Sequence, residues 1–292
     1  GRQWLLIGPW LHGRYNKGTK NGELEYPANA AWDTEAHMLR WFDHWLKGME
    51  NGVTDEPKVR WYEMGAVGEG DAGGNRWHEA ADFPPAAEER SLYLHEDGVL
   101  HNEAPTAADS STSLVSDPRA PMELPARGFP GARDARSFEE QAEVRTFTTE
   151  ALTEPVAWIG RVHAELQLSS TAVDTDVIVR VSDVYPDGRS ILIIAYPQRV
   201  RYREGFDKEV MMTPGEIYPV RFPVGWISQV FAKGHRIRVT IASTGAPYYE
   251  PNPQNGKGFP AEIPDDAVVA TNTIHHSASH PSRLIVPVKK GE

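Results

Sequence analysis

Two patterns of hydrophobic and polar positions follow one another along this chain. Toward the N-terminus, a continuous apolar run at residues 4–7 and a second predicted strand at residues 58–64 flank a helical stripe, whereas from Ser91 onward apolar residues recur at every second position. Continuous runs are typical of strands covered on both faces in parallel sheets, and alternation is typical of strands with one buried face. The pattern therefore predicts an α/β segment over residues 1–85 and an all-β segment over residues 86–292.

A helix is predicted over residues 31–47 of the first segment. Its apolar residues repeat at steps of three and four and form one stripe: Trp32, Ala36, Leu39, Phe42, Trp45 and Leu46. Asp33 and Glu35 stand in the first turn, Lys47 stands in the last turn, and Gly48 is the expected stop. Burial of one large apolar side chain contributes about 1.5–3 kcal/mol, so a stripe with three aromatic residues needs a large surface to pack on.

In the second segment the alternation is strongest at residues 162–169, where valine, alanine and leucine alternate with polar residues. Further strands are predicted at 91–94, 176–183, 190–195, 199–202, 217–222, 237–241 and 284–288, with turns at Asp97-Gly98 and Pro186-Asp187-Gly188. Residues 102–137 show no sustained period and are predicted to form a long surface loop. Strands spaced by turns, without a convincing helix, indicate a β-sandwich or jelly roll.

Charge and composition argue against several classes of partner. Lys and Arg number 30 against 41 Asp and Glu, for a net charge of −11. Nonspecific nucleic-acid binding needs basic residues to neutralise phosphates, so we expect no nucleic-acid partner and no polybasic membrane surface. No apolar run approaches the roughly 18–20 residues of a membrane span. The absence of cysteine removes disulfides, thiolate metal sites and a thiol nucleophile.

The candidate catalytic residue is His12. It follows the apolar run 4–7 and a Gly8-Pro9 break, and open α/β sheets place their active sites at such carboxyl ends of strands. In α/β-hydrolases the triad histidine comes last along the chain, between the final strand and the final helix, and His12 has that position. No serine stands in a G-x-S-x-G frame, so His12 has no visible nucleophile. The alternative is a loop histidine that hydrogen-bonds to backbone.

Each of the other polar and aromatic clusters could have either a structural or a functional role. His37 and His44 share a helix face and are expected to be surface histidines. The histidines at positions 275, 276 and 280 could bind a metal. Asp174-Thr175-Asp176 could bind calcium, but a turn is the better interpretation of this segment. Trp226, Tyr248 and Tyr249 could stack on sugar rings, although packing is favoured. We therefore predict neither a cofactor nor a bound metal.

Several motifs in fixed order resemble the CocE/NonD family of serine hydrolases, which includes esterases, α-amino acid ester hydrolases and X-prolyl dipeptidyl peptidases. Gly8-Pro9-Trp10-Leu11-His12 resembles its G-P-W-x-H segment, and Phe42 to Gly48 resembles its final hydrolase helix. Further matches are Val59 to Gly65, Ala172 to Asp176, Asp183 to Arg189, Arg201 to Glu204, Gly215 to Tyr218, Gly234 to Ile237 and His280 to Ser282. The resemblance covers essentially the whole chain.

The resemblance implies the end of an α/β-hydrolase domain over residues 1–85, followed by a jelly-roll sandwich over residues 86–292. It implies a Ser-Asp-His triad acting on a small ester or amide, of which only the histidine, His12, lies on this chain. The strand pattern begins directly after Gly1-Arg2-Gln3, so we expect a piece of a longer polypeptide that is inactive alone. We further expect either an N-terminal half as partner or self-association that covers residues 1–85. The alternative is a noncatalytic jelly-roll module that binds carbohydrate or protein.

Overall fold

The structure, a computed structural model, describes residues 3–12, 18–70, 72–122, 131–258 and 262–290. Its helices and strands in chain order are β1 (Leu5–Ile7), β2 (Lys20–Asn21), β3 (Leu24–Glu25), α1 (Thr34–Lys47), β4 (Val59–Glu63), β5 (Arg76–Ala80), β6 (Ala87–Leu94), β7 (Leu100–His101), β8 (Ser111–Ser116), α2 (Arg136–Glu139), β9 (Arg145–Thr148), β10 (Val156–Ser170), β11 (Asp176–Val184), β12 (Ser190–Arg199), β13 (Tyr218–Phe231), β14 (Arg236–Ala242), β15 (Ala270–His275) and β16 (Arg283–Lys289). Most of the regular structure is therefore β-strand.

The strands predicted at residues 4–7 and 58–64 are present, as β1 and β4, and they pair in parallel. Leu5 lies opposite Val59 and Ile7 opposite Trp61. Strand β5 adds to the other edge of β4 in antiparallel orientation, which completes a small sheet of order β1-β4-β5. The parallel pair brings the carboxyl ends of β1 and β4 to the same edge of the sheet.

Helix α1 confirms the predicted helix but starts three residues later. The side chain of Asp33 accepts a hydrogen bond from the Ala36 amide at 3.1 Å, so Asp33 is the N-cap. Gly48 ends the helix with φ 68°, the left-handed conformation that glycine adopts without strain. Trp41 packs edge-on against Trp4 beside β1, with ring centroids 5.0 Å apart. Most of the predicted apolar stripe is exposed instead, including Leu39, Phe42, Trp45 and Leu46.

A β-sandwich forms the rest of the chain, as the alternating pattern predicts. One sheet has the order β7-β6-β16-β10-β15-β8, with β13 also paired to β10, and the other has the order β12-β11-β14-β9. The predicted inward positions of β10 are all buried: Val162, Ala164, Leu166 and Leu168. They pack in one cluster with inward residues of the facing sheet, among them Val179 and Val239. This cluster is the main core.

The structure corrects two predicted segments. The stretch 102–137 is not one long loop, because it contains β8, which pairs with β15 and buries Leu114, as well as the start of α2. The strand predicted at 199–202 ends at Arg199, and Val200–Tyr202 form a 3₁₀ turn. The turn forms because the carboxylate of Asp174 accepts hydrogen bonds from both the amide and Nε of Arg201. Strands β9 and β15 have no counterpart among the predicted elements.

The small sheet and the sandwich share hydrogen bonds and a core. The Met64 amide donates to the Ser228 carbonyl at 2.9 Å, and the Met64 carbonyl accepts from the Val230 amide at 2.8 Å. A second buried cluster joins Tyr62 on β4 to Tyr185 beyond β11. The chain passes from the small sheet to the sandwich in the connection between β5 and β6. The domain boundary predicted at residue 85 lies in this connection, and it remains a prediction. Neither helix in the described ranges has the length and apolar content to span a bilayer.

Candidate functional site

The loop from Gly8 to His12 leaves the carboxyl end of β1, at the edge that β1 shares with the parallel strand β4. Its first residue must be small, because a Cβ on Gly8 would lie 2.5 Å from the Trp10 ring. The side chain of His12 is exposed at the end of the described part of this loop. Residue 13, which belongs to the same motif, lies outside the described residues. The structure therefore presents His12 at the sheet edge, and its catalytic role stays a prediction.

Trp10 anchors the loop to the first segment of the chain. Its indole Nε1 donates to the Ala30 carbonyl at 2.9 Å. Its ring lies 5.8 Å from that of Trp77, which is in turn 5.0 Å from the ring of Trp32. The indole of Trp77 donates to the Asn29 carbonyl at 2.7 Å, beside the Ala30 contact. Three tryptophans far apart in sequence thus hold the backbone that delivers His12.

A second anchor ties the loop to the sandwich. In the β2–β3 hairpin, Asn21 Nδ2 donates to the Pro9 carbonyl at 2.9 Å, and Asn21 Oδ1 accepts from the Ala132 amide at 3.1 Å. The Glu23 amide donates to the Ala132 carbonyl at 2.8 Å. Gly131 packs so closely on Leu11 that an added Cβ would lie 2.8 Å from Leu11 Cδ2. The segment that precedes α2 in the sandwich therefore helps to position the loop of His12.

One polar contact between the two parts of the chain is a histidine between two carboxylates. His235 Nδ1 lies 2.7 Å from Asp183 Oδ1, and His235 Nε2 lies 2.8 Å from Glu69 Oε2. The histidine and Asp183 are buried, and the Tyr185 ring packs 4.4 Å from the imidazole. Burial opposes a charge on His235, but the hydrogen bonds and charges of Asp183 and Glu69 outweigh it and raise the pKa of His235 above its ordinary value.

Residues of the sequence motifs meet one another in a second buried network. Arg201 Nε donates to Asp174 at 2.7 Å, and Arg199 donates to both oxygens of Asp176. The side-chain amide of Asn252 donates to both carboxylates, at 2.7 and 2.8 Å. Arginine and asparagine donors therefore bind both carboxylates, and Asp174 and Asp176 stabilise the turn before β11. A turn is also the interpretation that the sequence favoured over a calcium site.

The candidate metal tract near the C-terminus is held by hydroxyl groups. The two ring nitrogens of His276 lie 2.9 Å from Ser110 Oγ and Thr112 Oγ1. His275 Nε2 lies 2.9 Å from Ser169 Oγ. Within the residues that the structure describes, no group of three His, Cys, Asp or Glu side chains is arranged to hold a metal.

On α1, His37 faces Trp32 and Glu56, and Nδ1 of His44 lies 2.9 Å from the Met49 carbonyl.

The three aromatic residues considered for sugar stacking do not form one platform. Trp226 is exposed and packs against Phe83, with Arg161 over its ring. Tyr248 and Tyr249 line a separate cavity beside α2. Trp226 therefore lies at the junction with the small sheet, whereas the two tyrosines lie on the outer face of the sandwich.

Sequence reasoning identified His12 but missed the residues that hold its loop. Trp10 belonged to a quoted motif, yet the motif does not show that its indole and that of Trp77 both bond to the turn at 28–30. Asn21 belonged to no predicted element and no quoted motif. Asp183 and His235 both lay in quoted motifs, and their contact could have been suspected, because a buried acid and a buried histidine each need a polar partner.

Comparison with known proteins gives a consistent assignment. Residues 51–285 match the family model of the X-Pro dipeptidyl-peptidase C-terminal non-catalytic domain, so His12 lies before the matched region. The chain is 32% identical to a cocaine esterase from Rhodococcus sp. over 98% of its own length and 51% of that protein.

Two solved structures share the fold along the whole chain. A Thaumarchaeota archaeon aminopeptidase superposes with a TM-score of 0.86 at 28% identity, over 99% of this chain and 49% of that one. An α-amino acid ester hydrolase superposes with a TM-score of 0.84 at 28% identity, over 98% and 50%. The chain thus spans about half the length of each of these relatives. The resemblance inferred from the motifs is confirmed: the chain belongs to the CocE/NonD family and carries its C-terminal portion.

Proposed function

We propose that this chain is the C-terminal part of a serine hydrolase that cleaves small ester or amide substrates, and that His12 is its general base. The observation that carries the proposal is the placement of His12 beyond β1 at the carboxyl edge of a parallel strand pair, on a loop anchored from both parts of the chain. In this reading β1, α1 and β4 are the end of an α/β-hydrolase domain, and the sandwich has jelly-roll connectivity.

The chemistry assigns His12 one role in two steps. The imidazole accepts the proton of a serine hydroxyl as that oxygen attacks the carbonyl carbon, and then returns the proton to the leaving alcohol or amine. In this proposal, the serine and the acid that orients the imidazole lie outside the described residues. Because the members of a triad act as a unit, His12 alone does not accelerate ester hydrolysis measurably.

The surfaces of the small sheet support a partner that completes the domain. In the sheet as described, β1 pairs with β4 and is the terminal strand. A groove of about 450 Å³ lies between β1 and α1, and another of about 580 Å³ lies between β1 and β13. An unpaired strand edge beside apolar grooves and an exposed aromatic helix face is a surface that other polypeptide covers. We assign it to the half that supplies the nucleophile, with self-association as the alternative.

The tie between the loop of His12 and the sandwich favours this function over a free binding module. A module that only binds carbohydrate or protein gains nothing from the Asn21 bridge between Pro9 and Ala132. A hydrolase gains a fixed imidazole, and misplacement of a catalytic group by about 1 Å can lower the rate about 100-fold.

The test uses p-nitrophenyl acetate turnover by two proteins. One is the purified 292-residue chain, and the other is a chimera in which this chain replaces the matching half of the Rhodococcus cocaine esterase. We expect background rates for the chain alone and saturable turnover for the chimera. The His12→Ala chimera should lose kcat by about 1,000-fold or more with little change in KM.

His44→Ala is the matched control, because it removes a second histidine of the same segment, which contacts the Met49 carbonyl and the Trp45 ring. It should leave turnover unchanged. Saturable activity of the chain alone that disappears in His12→Ala would show that the nucleophile lies on this chain and would overturn the proposal. A folded His12→Ala chimera with undiminished kcat would also overturn it.

A further inference from the structure

A partly open cavity of about 250 Å³ lies on the outer face of the second sheet, on the side away from the main core. Strands β11 and β12 form its floor, through Ile178, Arg180 and Ala195. The segment around α2 and the loop after β14 form its walls, through Phe138 and Tyr249. The cavity is separate from the sheet edge that carries His12, since none of its lining residues belongs to β1, β4 or the loop 8–12.

Arg180 places a guanidinium group on the floor of this cavity. It lies in β11 opposite Ala195 on β12 and Thr240 on β14, so its side chain rises from the middle of the sheet. Its Nη1 atom is closed to solvent and has no hydrogen-bond partner in the part of the chain that the structure describes. Burial lowers the pKa of its guanidinium to about 10. A buried cation without an acceptor is costly, so such a group calls for an anionic partner.

The two acids beside the cavity are both paired with other groups. Asp134, which lines the cavity, pairs with Arg136. Glu139 in α2 accepts a hydrogen bond from Ser190 Oγ at 2.7 Å on one oxygen and pairs with Arg238 at 2.6 Å on the other. The guanidinium of Arg180 lies 4.0 Å over the Phe138 ring instead. The Phe138 ring covers one face of the guanidinium. The N–H donors lie in the plane of the guanidinium, so stacking does not prevent them from donating hydrogen bonds.

The walls restrict the anion to one with an apolar body. Phe138, Ile178, Leu192 and Ala195 present carbon to the cavity, and Tyr249 adds a ring whose hydroxyl lies near the charge of Arg180. A fully hydrated inorganic anion would lose its water against such walls without replacement. A cavity of about 150 Å³ holds a benzene molecule, so 250 Å³ accommodates a ring with a carboxylate.

We propose that this cavity is a binding site for a small monocarboxylate with an aromatic or aliphatic body, whose carboxylate pairs with Arg180 and whose body packs between Phe138 and Ile178. The site is independent of the proposed hydrolase function. It requires only the sandwich, in which every residue named for it lies.

The test is calorimetric titration of the 292-residue chain with benzoate, with benzyl alcohol and inorganic phosphate as comparison ligands. We expect saturable benzoate binding and at least about tenfold weaker binding of the neutral alcohol and of phosphate. In Arg180→Gln, benzoate binding should weaken about tenfold or more. Ala195→Leu keeps the charge but fills the cavity, and it should weaken benzoate binding to a similar extent.

Arg189→Gln is the matched control, because Arg189 also stacks on an aromatic ring, that of Tyr185, but is paired with Asp187. It should bind benzoate as the wild type does. Absence of saturable benzoate binding by the wild type, undiminished binding by folded Arg180→Gln, or phosphate binding as tight as benzoate would overturn the proposal. If Arg180→Gln does not fold, undiminished binding by Ala195→Leu decides against the site.

Discussion

His235 and Asp183 lie 2.7 Å apart, nitrogen to oxygen, in a part of the junction that is closed to solvent. Asp183 comes from the end of β11 and His235 from the turn before β14, while the second ring nitrogen of His235 reaches Glu69 in the loop after β4. One imidazole therefore connects the sandwich to the small sheet, and its protonation state affects how firmly the two parts are held together.

His235 should make stability depend on pH above 6.5. Its folded-state pKa is raised above the ordinary 6.5, so its contribution is fully present below that value and is lost as pH rises through the folded-state pKa. Urea unfolding across this range should show a falling free energy of unfolding in the wild type and a smaller fall in His235→Gln. Because Gln leaves the buried carboxylate of Asp183 without a charged partner, His235→Gln should also cost about 3–5 kcal/mol at pH 6.

His44→Gln is the control for this comparison, since His44 lies at the end of α1 and contacts a backbone carbonyl. It should retain the wild-type pH dependence. If the free energy of unfolding falls equally with pH in the wild type and in His235→Gln, the contact between His235 and the carboxylates does not cause the pH dependence of stability.

Trp10→Phe should impair catalysis in the chimera more than it impairs folding. The ring and its contact with Trp77 remain, but the hydrogen bond from the indole to the Ala30 carbonyl is lost. Loss of one such bond costs about 1 kcal/mol in unfolding free energy, whereas a loosened His12 should lower kcat about tenfold or more with KM retained. Tyr196→Phe, at an exposed tyrosine of β12, should change neither quantity. An unchanged kcat in Trp10→Phe would refute the positioning role.

Asp174→Asn should destabilise the chain without any metal being involved. The substitution removes the charge that pairs with the buried guanidinium of Arg201, which costs about 3–5 kcal/mol. Thermal unfolding of the wild type should be unaffected by EDTA or by added calcium. A rise in Tm with calcium that is absent in Asp174→Asn would instead support the calcium reading.

Phe42→Glu should reduce self-association of the chain when it is purified alone. Phe42 belongs to the exposed apolar face of α1 with Leu39, Trp45 and Leu46. Light scattering of the wild type should show species larger than a monomer, and the introduced charge should shift them toward the monomer. Phe206→Glu alters an equally large exposed phenylalanine elsewhere and should have no effect. A monomeric wild type with this face exposed contradicts the expectation that other polypeptide covers it.

The success of the sequence reasoning varied with how local the signal was. The helix at 34–47 and the buried face of β10 could be predicted because their periods lie within one stretch of chain. Strands β8 and β9 were missed because their residues are largely serine, threonine and arginine, and pairing with β15 and β14 makes them strands. The turn at 200–202 was mistaken for strand because its cause, the carboxylate of Asp174, lies 27 residues away.

For the candidate site, the sequence alone supplied the prediction: an imidazole after an apolar strand, in a motif order shared with a hydrolase family. Only the tertiary structure decided what holds that imidazole, namely the Trp10 bond to Ala30 and the Asn21 bridge to Ala132. It alone also showed that Nη1 of Arg180 has no acceptor among the described residues, whereas Nε of Arg201 is paired with Asp174. The reason is physical: periodicity and motifs report short-range constraints, whereas the partner of a buried polar group is chosen by which distant segments the folded chain brings within about 3 Å.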